Sequence, residues 1–277
     1  MANFFKDILL PVDLSINTEI AIKKALEFAD NGTNIHLFHV LRYSKTDFGS
    51  MIQRYFYEPT ARPEYMRAEI KMNQWRDCII KSKNNVTVSV WIAEENSIQK
   101  AIENKAIEVN VDLILLIKNS HHSLLPFLNT VNPAQLSQNT GTIVLSIKGK
   151  VDSKSKAMVV PITIDTTTRE KELIYMICRR FISKIYLVTF ITNEREPMNS
   201  NASSLLQVYK WLKTIHLNVE YAALREPNKA KALINYAASV NAETLLFHSK
   251  TETKIDARKK KVIDLWQNKS EYIIGAG

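Results

Sequence analysis

The chain has 277 residues, of which 45% are hydrophobic and 23% charged, which is enough apolar content to bury one large core or two ordinary ones and excludes extensive disorder. Its longest unbroken apolar run, residues 113–117, is far shorter than the roughly 18 residues that a membrane-spanning helix needs. Lysine and arginine outnumber the acidic residues by 37 to 28, and the resulting charge of +9 favours phosphates in general without deciding the fold.

Glycine and cysteine usage excludes several kinds of site. The six glycines stand at positions 32, 49, 141, 149, 275 and 277, so neither a Walker loop nor a dinucleotide fingerprint can be formed from them. The two cysteines, Cys78 and Cys178, lie in different halves of the chain and build neither a disulfide framework nor a zinc cluster. Because the first residues also lack a leader-like apolar stretch, we expect a cytoplasmic protein.

The two halves of the chain repeat each other. Residues 8–40 align without a gap with a segment 150 positions later, and residues 88–116 align with a segment 131 positions later. The difference means that the first half carries about 19 extra residues between its two aligned blocks. We predict two domains, 1–148 and a shortened 157–277, joined by the polar linker 149–156.

In both halves, short apolar runs alternate with segments of helical period, a pattern typical of βαβ units with a parallel sheet. The strands predicted for the first half are residues 8–12, 35–40, 86–92, 113–117 and 142–147. Apolar residues at helical spacing predict helices around 22–29, 65–79 and 98–109. In the second half we predict a helix around 205–215, another opened by Pro227, and a last strand over 272–274.

Three motifs in this order resemble the universal stress protein family. They are ILLPVD at residues 8–13, HLFHV at 36–40 and VDLI at 111–114. The resemblance covers nearly all of the first half and, through the repeat, most of the second. It implies two tandem α/β domains, Rossmann-like and similar to the adenine-nucleotide alpha hydrolases, each with a doubly wound parallel sheet. It also implies that the two domains pair through their last strands as a pseudo-dimer.

Many members of that family bind ATP, and the resemblance places such a site in the first domain. The residues implied are Pro11, Val12, Asp13, Val40, Asn129, Thr130 and Val131. The family's glycine-rich phosphate loop is replaced here by residues 117–123, which contain no glycine. The second domain has Thr163 in place of the aspartate and residues 248–251 (HSKT) in place of the loop. We therefore expect weak binding of ATP or another adenine nucleotide in the first domain and none in the second.

Other residues have simpler interpretations. Asp13 can also cap the following helix, and His36 and His39, three apart on one strand, face opposite sides of the sheet and are interpreted as structural. His121 and His122 are adjacent on a loop, which disfavours a metal site, and no nucleophile elbow or catalytic constellation is present. We therefore expect neither a metal nor enzymatic turnover.

Two segments indicate contacts with partners. The basic run 258–261 and its neighbours Lys254 and Lys269 are interpreted as a solvated helix face, which disfavours nucleic-acid binding. The aromatic insert 47–65 forms either a lid or, as we favour, an interface. The expected function is that of a non-enzymatic stress-response protein with an eroded nucleotide site. The alternatives are a ligand-free scaffold acting through the insert and the basic tail on an unknown protein partner or a second copy of the chain, and a sensor of a small ligand other than ATP.

Overall fold

The chain forms two compact units, Met1–Gly149 and Lys150–Gly277. The computed structural model describes residues 5–15, 17–41, 62–118, 131–148, 157–162, 168–191, 200–225, 229–242, 244–248 and 271–275. The predicted linker, residues 149–156, lies outside this part of the chain, as do His121, His122 and the basic run 258–261.

The first unit is a parallel five-stranded α/β fold with the strand order β3-β2-β1-β4-β5. Its elements are β1 (Asp7–Pro11), α1 (Asn17–Phe28), β2 (Asn34–Leu41), α2 (Pro63–Ser82), β3 (Thr87–Glu94), α3 (Ile98–Val109), β4 (Leu113–Lys118), α4 (Pro133–Thr140) and β5 (Ile143–Lys148). The chain thus moves outward from β1 to one edge of the sheet and then returns to build the other edge from β4.

The second unit has the same strand order, β8-β7-β6-β9-β10, and its strands are also parallel. Its elements are β6 (Ala157–Pro161), α5 (Thr168–Phe181), β7 (Lys184–Phe190), α6 (Ser200–Thr214), β8 (Val219–Leu224), α7 (Lys229–Ser239), β9 (Thr244–His248) and β10 (Glu271–Gly275). The prediction of two doubly wound parallel sheets in tandem is confirmed.

The sequence repeat corresponds to a repeat of strand register. Ile8 pairs with Ile35 in the first unit, and the aligned residues Met158 and Ile185 pair in the second. Asn110 and its repeat equivalent Asn241 both adopt the left-handed backbone conformation, with φ of 56° and 51°. Asparagine tolerates this conformation better than most residues, and here it ends the third helix of each unit.

Several predicted boundaries were wrong by a few residues. The insert predicted over 47–65 ends earlier, because Pro63 occupies the first turn of α2, where its fixed φ and missing N–H are tolerated. Residues 47–61 of the insert lie outside the described part of the chain. The strand predicted over 86–92 runs from Thr87 to Glu94, and the one predicted over 272–274 is β10. Pro227 is not among the described residues.

The core of the first unit lies on both faces of its sheet. On one face, Leu9, Phe38 and Ile114 pack against Ile102 of α3 within a continuous apolar cluster. The apolar stripe predicted for α2 is buried as expected, with Ala68, Met72, Trp75 and Ile79 inside. Among the described residues, no helix combines the length and the apolar character needed to cross a bilayer.

Candidate functional site

The strand order of the first unit creates a topological switch point between β1 and β4. From β1 the chain passes through α1 to β2 on one side, whereas β4 pairs with β1 on the other side. In open parallel sheets, ligands bind in the crevice outside the carboxyl ends of such strands. Pro11, Val12 and Asp13 lie at this edge, at and just beyond the end of β1.

The Asp13 carboxylate is held in a turn that leads into α1. Its Oδ1 accepts hydrogen bonds from the Ser15 amide at 3.0 Å, the Ser15 hydroxyl at 2.6 Å and the Thr18 hydroxyl at 3.4 Å. Leu14, between Asp13 and Ser15, has a φ of 61°. This backbone conformation is uncommon for a bulky residue and often marks functional turns. Asp13 thus organises the turn before the helix, and its side chain stays partly exposed. The expected cap of α1 by Asp13 is not what is seen, because the Asn17 amide donates to Ser15 Oγ at 3.2 Å.

The end of β2 lies beside this turn. The Val12 amide donates to the Phe38 carbonyl at 2.8 Å, so the backbone groups of Phe38 point towards β1. Since backbone groups alternate along a strand, those of Val40 point to the same side, just past the end of β1. The Val40 side chain is buried in the apolar cluster that also contains Val131. These two valines can therefore contact a ligand only through their backbones.

The fourth helix begins near the same edge. Asn132 caps α4 by accepting hydrogen bonds from the amides of Ala134 at 3.0 Å and Gln135 at 3.2 Å. The pattern Asn-Pro-Ala-Gln is a recognisable helix start, with a capping asparagine and proline in the first turn, which the sequence analysis missed. Asn129 and Thr130, also predicted for the site, are outside the described residues.

Two histidines of β2 serve different structural purposes. His36 Nε2 lies 2.9 Å from Asp7 Oδ1, whereas His39 Nδ1 donates to the Val12 carbonyl at 2.8 Å. The pKa of His39 is lowered because burial disfavours the imidazolium, which outweighs its hydrogen bond to Val12 and the nearby charge of Asp13. His39 is therefore neutral at pH 7 and holds the end of β1 against β2.

We predict that His39→Thr makes the stability of the first unit less sensitive to acid. Because the pKa of His39 is lower in the folded than in the unfolded chain, the histidine destabilises the fold progressively as pH falls below about 6.5. Threonine cannot titrate and can still donate to Val12, as the aligned Thr189 does to Ile162 at 3.4 Å. Urea unfolding at pH 7.5 and 5.5 measures this effect. Between these pH values, the free energy of unfolding should fall less for the variant than for the wild type, and an equal fall would contradict the prediction.

A second contact at the carboxyl edge was not predicted from the sequence. Arg62, just before α2, forms a two-pronged ion pair with Glu94 at the end of β3, with N–O distances of 3.1 and 3.3 Å. Both side chains are largely buried. Within the described residues, no group of three or more histidine, cysteine or acidic side chains could hold a metal ion.

Comparison with known proteins identifies the family. Residues 4–132, nearly the whole first unit, match the sequence profile of the Universal stress protein family. The first unit therefore belongs to the universal stress protein family. The resemblance noted in its motifs is thereby confirmed. No curated protein matches the chain.

Solved structures match both units of the chain together. A universal stress protein from Archaeoglobus fulgidus superposes with a TM-score of 0.68 at 13% identity, covering 97% of this chain and 95% of the other. A putative universal stress protein from Pseudomonas aeruginosa gives a TM-score of 0.58 at 12% identity, covering 98% of this chain and 93% of the other. The cytoplasmic domain of a prokaryotic cation chloride cotransporter gives a TM-score of 0.52 at 12% identity, covering 97% of this chain and 94% of the other. At these identities the likeness shows a shared tandem fold, which serves proteins of different kinds.

Proposed function

We propose that the first unit of this universal stress protein binds an adenine nucleoside or nucleotide and does not turn it over. The observation that carries the proposal is the Asp13 carboxylate, fixed by Ser15 and Thr18 and partly exposed at the switch point of the sheet. A carboxylate in this place can accept hydrogen bonds from ribose hydroxyls, as the family resemblance implies. The protein would then sense its ligand in a stress response.

The backbone around Asp13 supports a binding role. The Val40 N–H and C=O groups point towards the space beyond β1, where they could pair with the edge of a base. Among the described residues, the surroundings of Asp13 offer little for catalysis, since the Nδ1 of His39 is committed to the Val12 carbonyl. We therefore propose recognition without turnover.

The second unit is proposed to bind no nucleotide. It has threonine at position 163, where the first unit has Asp13, and a threonine offers one neutral oxygen where a carboxylate offers two charged oxygens to the ribose hydroxyls. We further propose a cytoplasmic location, because Cys78 and Cys178 are free thiols in different units. The pseudo-dimer of the two units and a homodimer of the whole chain stay predictions.

Calorimetric titration of the full chain with adenosine, AMP, ADP and ATP tests the proposal. We expect saturable binding to the wild type, carried by one site per chain. Asp13→Asn should weaken it by at least about tenfold, because the amide keeps one acceptor for the Ser15 turn but loses the charge that strengthens hydrogen bonds to hydroxyls. The as-purified protein should also be examined for retained nucleotide.

Asp13→Asn is the informative variant because asparagine keeps an oxygen that can accept from the Ser15 amide, so the turn before α1 is preserved. Asp13→Ala removes the acceptor of the Ser15 turn as well as the proposed ligand contact, and it is expected to destabilise the first unit by about 1 kcal/mol. Thr163→Ala, at the aligned position of the second unit, is the matched control and should leave binding unchanged. If neither the wild type nor any variant binds these ligands, the proposal is wrong.

One observation favours a second candidate, a ligand-free interaction scaffold. Met66, Ile70 and Ile80 are exposed on α2, along a stripe opposite to its buried face. Exposed apolar stripes of this kind often mark protein contacts. If the chain acts only as a scaffold, Asp13→Asn has no effect beyond stability.

A further inference from the structure

At the amino end of α4, the described residues 132–136 leave no backbone donor for a ligand. The Asn132 amide donates to Gln99 Oε1 at 3.1 Å, and Pro133 has no N–H. The next two amides, of Ala134 and Gln135, donate to the Asn132 side chain, and the Leu136 amide donates to the Asn132 carbonyl. Every backbone N–H group of residues 132–136 therefore already has an acceptor, and Pro133 has no N–H group.

The partner that takes the Asn132 amide is itself held in place. Gln99 Nε2 donates to Glu103 Oε1 at 2.9 Å, which fixes its amide so that Oε1 faces Asn132. Asn139 Nδ2 donates to the same Glu103 oxygen at 2.9 Å, from the last turn of α4. Side chains of α3 therefore bond to both ends of α4: Gln99 contacts Asn132 and the Glu103 carboxylate contacts Asn139.

These hydrogen bonds bear on phosphate binding, because phosphates often bind at the amino ends of helices. A phosphate is held there by free amides and by the positive end of the helix dipole. Here the amides are satisfied by the neutral oxygens of Asn132 and Gln99, and Glu103 adds negative charge to the same network. A phosphate at α4 would have to break these hydrogen bonds and would approach a carboxylate.

We infer that the ligand of the first unit is a nucleoside rather than a nucleotide, and that Gln99 and Asn132 determine this specificity by closing α4 to phosphate. The inference rests on the proposed function, since it names the class of ligand for the same site. It assigns ligand discrimination to a contact between two helices, which neither the family motif nor the position of Asp13 contains.

A calorimetric comparison of adenosine with ATP on the full wild-type chain is the first test. We expect the two dissociation constants to agree within about threefold, because the phosphates gain no new hydrogen bonds at α4. Binding of ATP tighter than adenosine by tenfold or more overturns the inference while leaving the proposed function intact. Absence of binding by both ligands overturns the proposed function and the inference together.

The second test reopens the helix end. The double variant Gln99→Ala/Asn132→Gly frees the amides of residues 132, 134 and 135, and glycine is itself an acceptable capping residue. We expect its preference for ATP over adenosine to rise by about tenfold, as for hydrogen bonds gained to a charged group. An unchanged preference in a variant that keeps the wild-type circular dichroism spectrum contradicts the inference.

Ser97→Gly provides the matched control for this experiment. Ser97 caps α3 by accepting from the Lys100 amide at 3.3 Å, so the substitution opens a helix amino end of the same kind elsewhere in the unit. The ratio of ATP to adenosine affinity should stay at its wild-type value. If Ser97→Gly raises it as much as the double variant does, the effect is not specific to α4 and the inference fails.

Discussion

Replacing Arg62 with alanine is expected to lower the free energy of unfolding of the first unit by about 3 kcal/mol. The Arg62 guanidinium contacts both carboxylate oxygens of Glu94, and the two side chains are only 4% and 18% exposed. Removing the cation leaves a largely buried carboxylate without its guanidinium, and such losses are far more costly than the pair itself is stabilising. The value lies at the lower end of the usual range because Glu94 keeps some contact with water.

Hydrogen exchange of the amides in α2 and β3 measures this loss in the first unit directly. The exposed pair Arg76–Asp77, which is 2.9 Å apart and whose side chains are 39% and 55% exposed, provides the comparison. Arg76→Ala should change the stability by less than about 1 kcal/mol. The double variant Arg62→Met/Glu94→Leu should recover most of the stability. Equal losses for Arg62→Ala and Arg76→Ala would show that burial of the Arg62 pair has no energetic role.

The fold was predictable because its strands are short apolar runs that alternate with segments of helical period. The same pattern occurs in both halves of the chain. The buried strand β4 and the stripe of α2 were visible in the sequence, since burial imposes the pattern directly. The repeat is matched by equal pairing in the two units, since Ile8 pairs with Ile35 and Met158 with Ile185. Boundaries failed where single contacts decide them, as at Pro63 and at Glu94.

The candidate site was only partly predictable. Asp13 was expected in the site because of the family resemblance, and its place at the end of β1 follows from the strand before it. The contact between Gln99 and Asn132, and the pair Arg62–Glu94, join residues about thirty positions apart whose types are ordinary in helices and turns. Hydrophobic periodicity does not predict such contacts, because they depend on how separate helices and strands meet in the fold.

Phe38→Ala is the substitution with the largest expected effect, a loss of about 3–5 kcal/mol in the stability of the first unit. Phe38 is 1% exposed in the middle of β2 and packs in the apolar cluster that includes Leu9, Ile102 and Val40. Truncation removes most of its buried ring and leaves a cavity, since a strand paired on both sides cannot collapse to fill it. Hydrogen exchange of the amides in β1 and β2 measures the loss.

The second unit supplies a control at the same register position. Phe38 pairs with Pro11, and Val188 pairs with the aligned Pro161. Val188→Ala removes two buried methyl-sized groups and should cost about 1.6 kcal/mol. Phe38→Leu, which keeps most of the volume, should cost clearly less than Phe38→Ala. If all three variants lose the same stability, cavity size does not govern this position. If Phe38→Ala alone also weakens adenosine binding, then the cluster beneath Val40 shapes the backbone that faces the ligand.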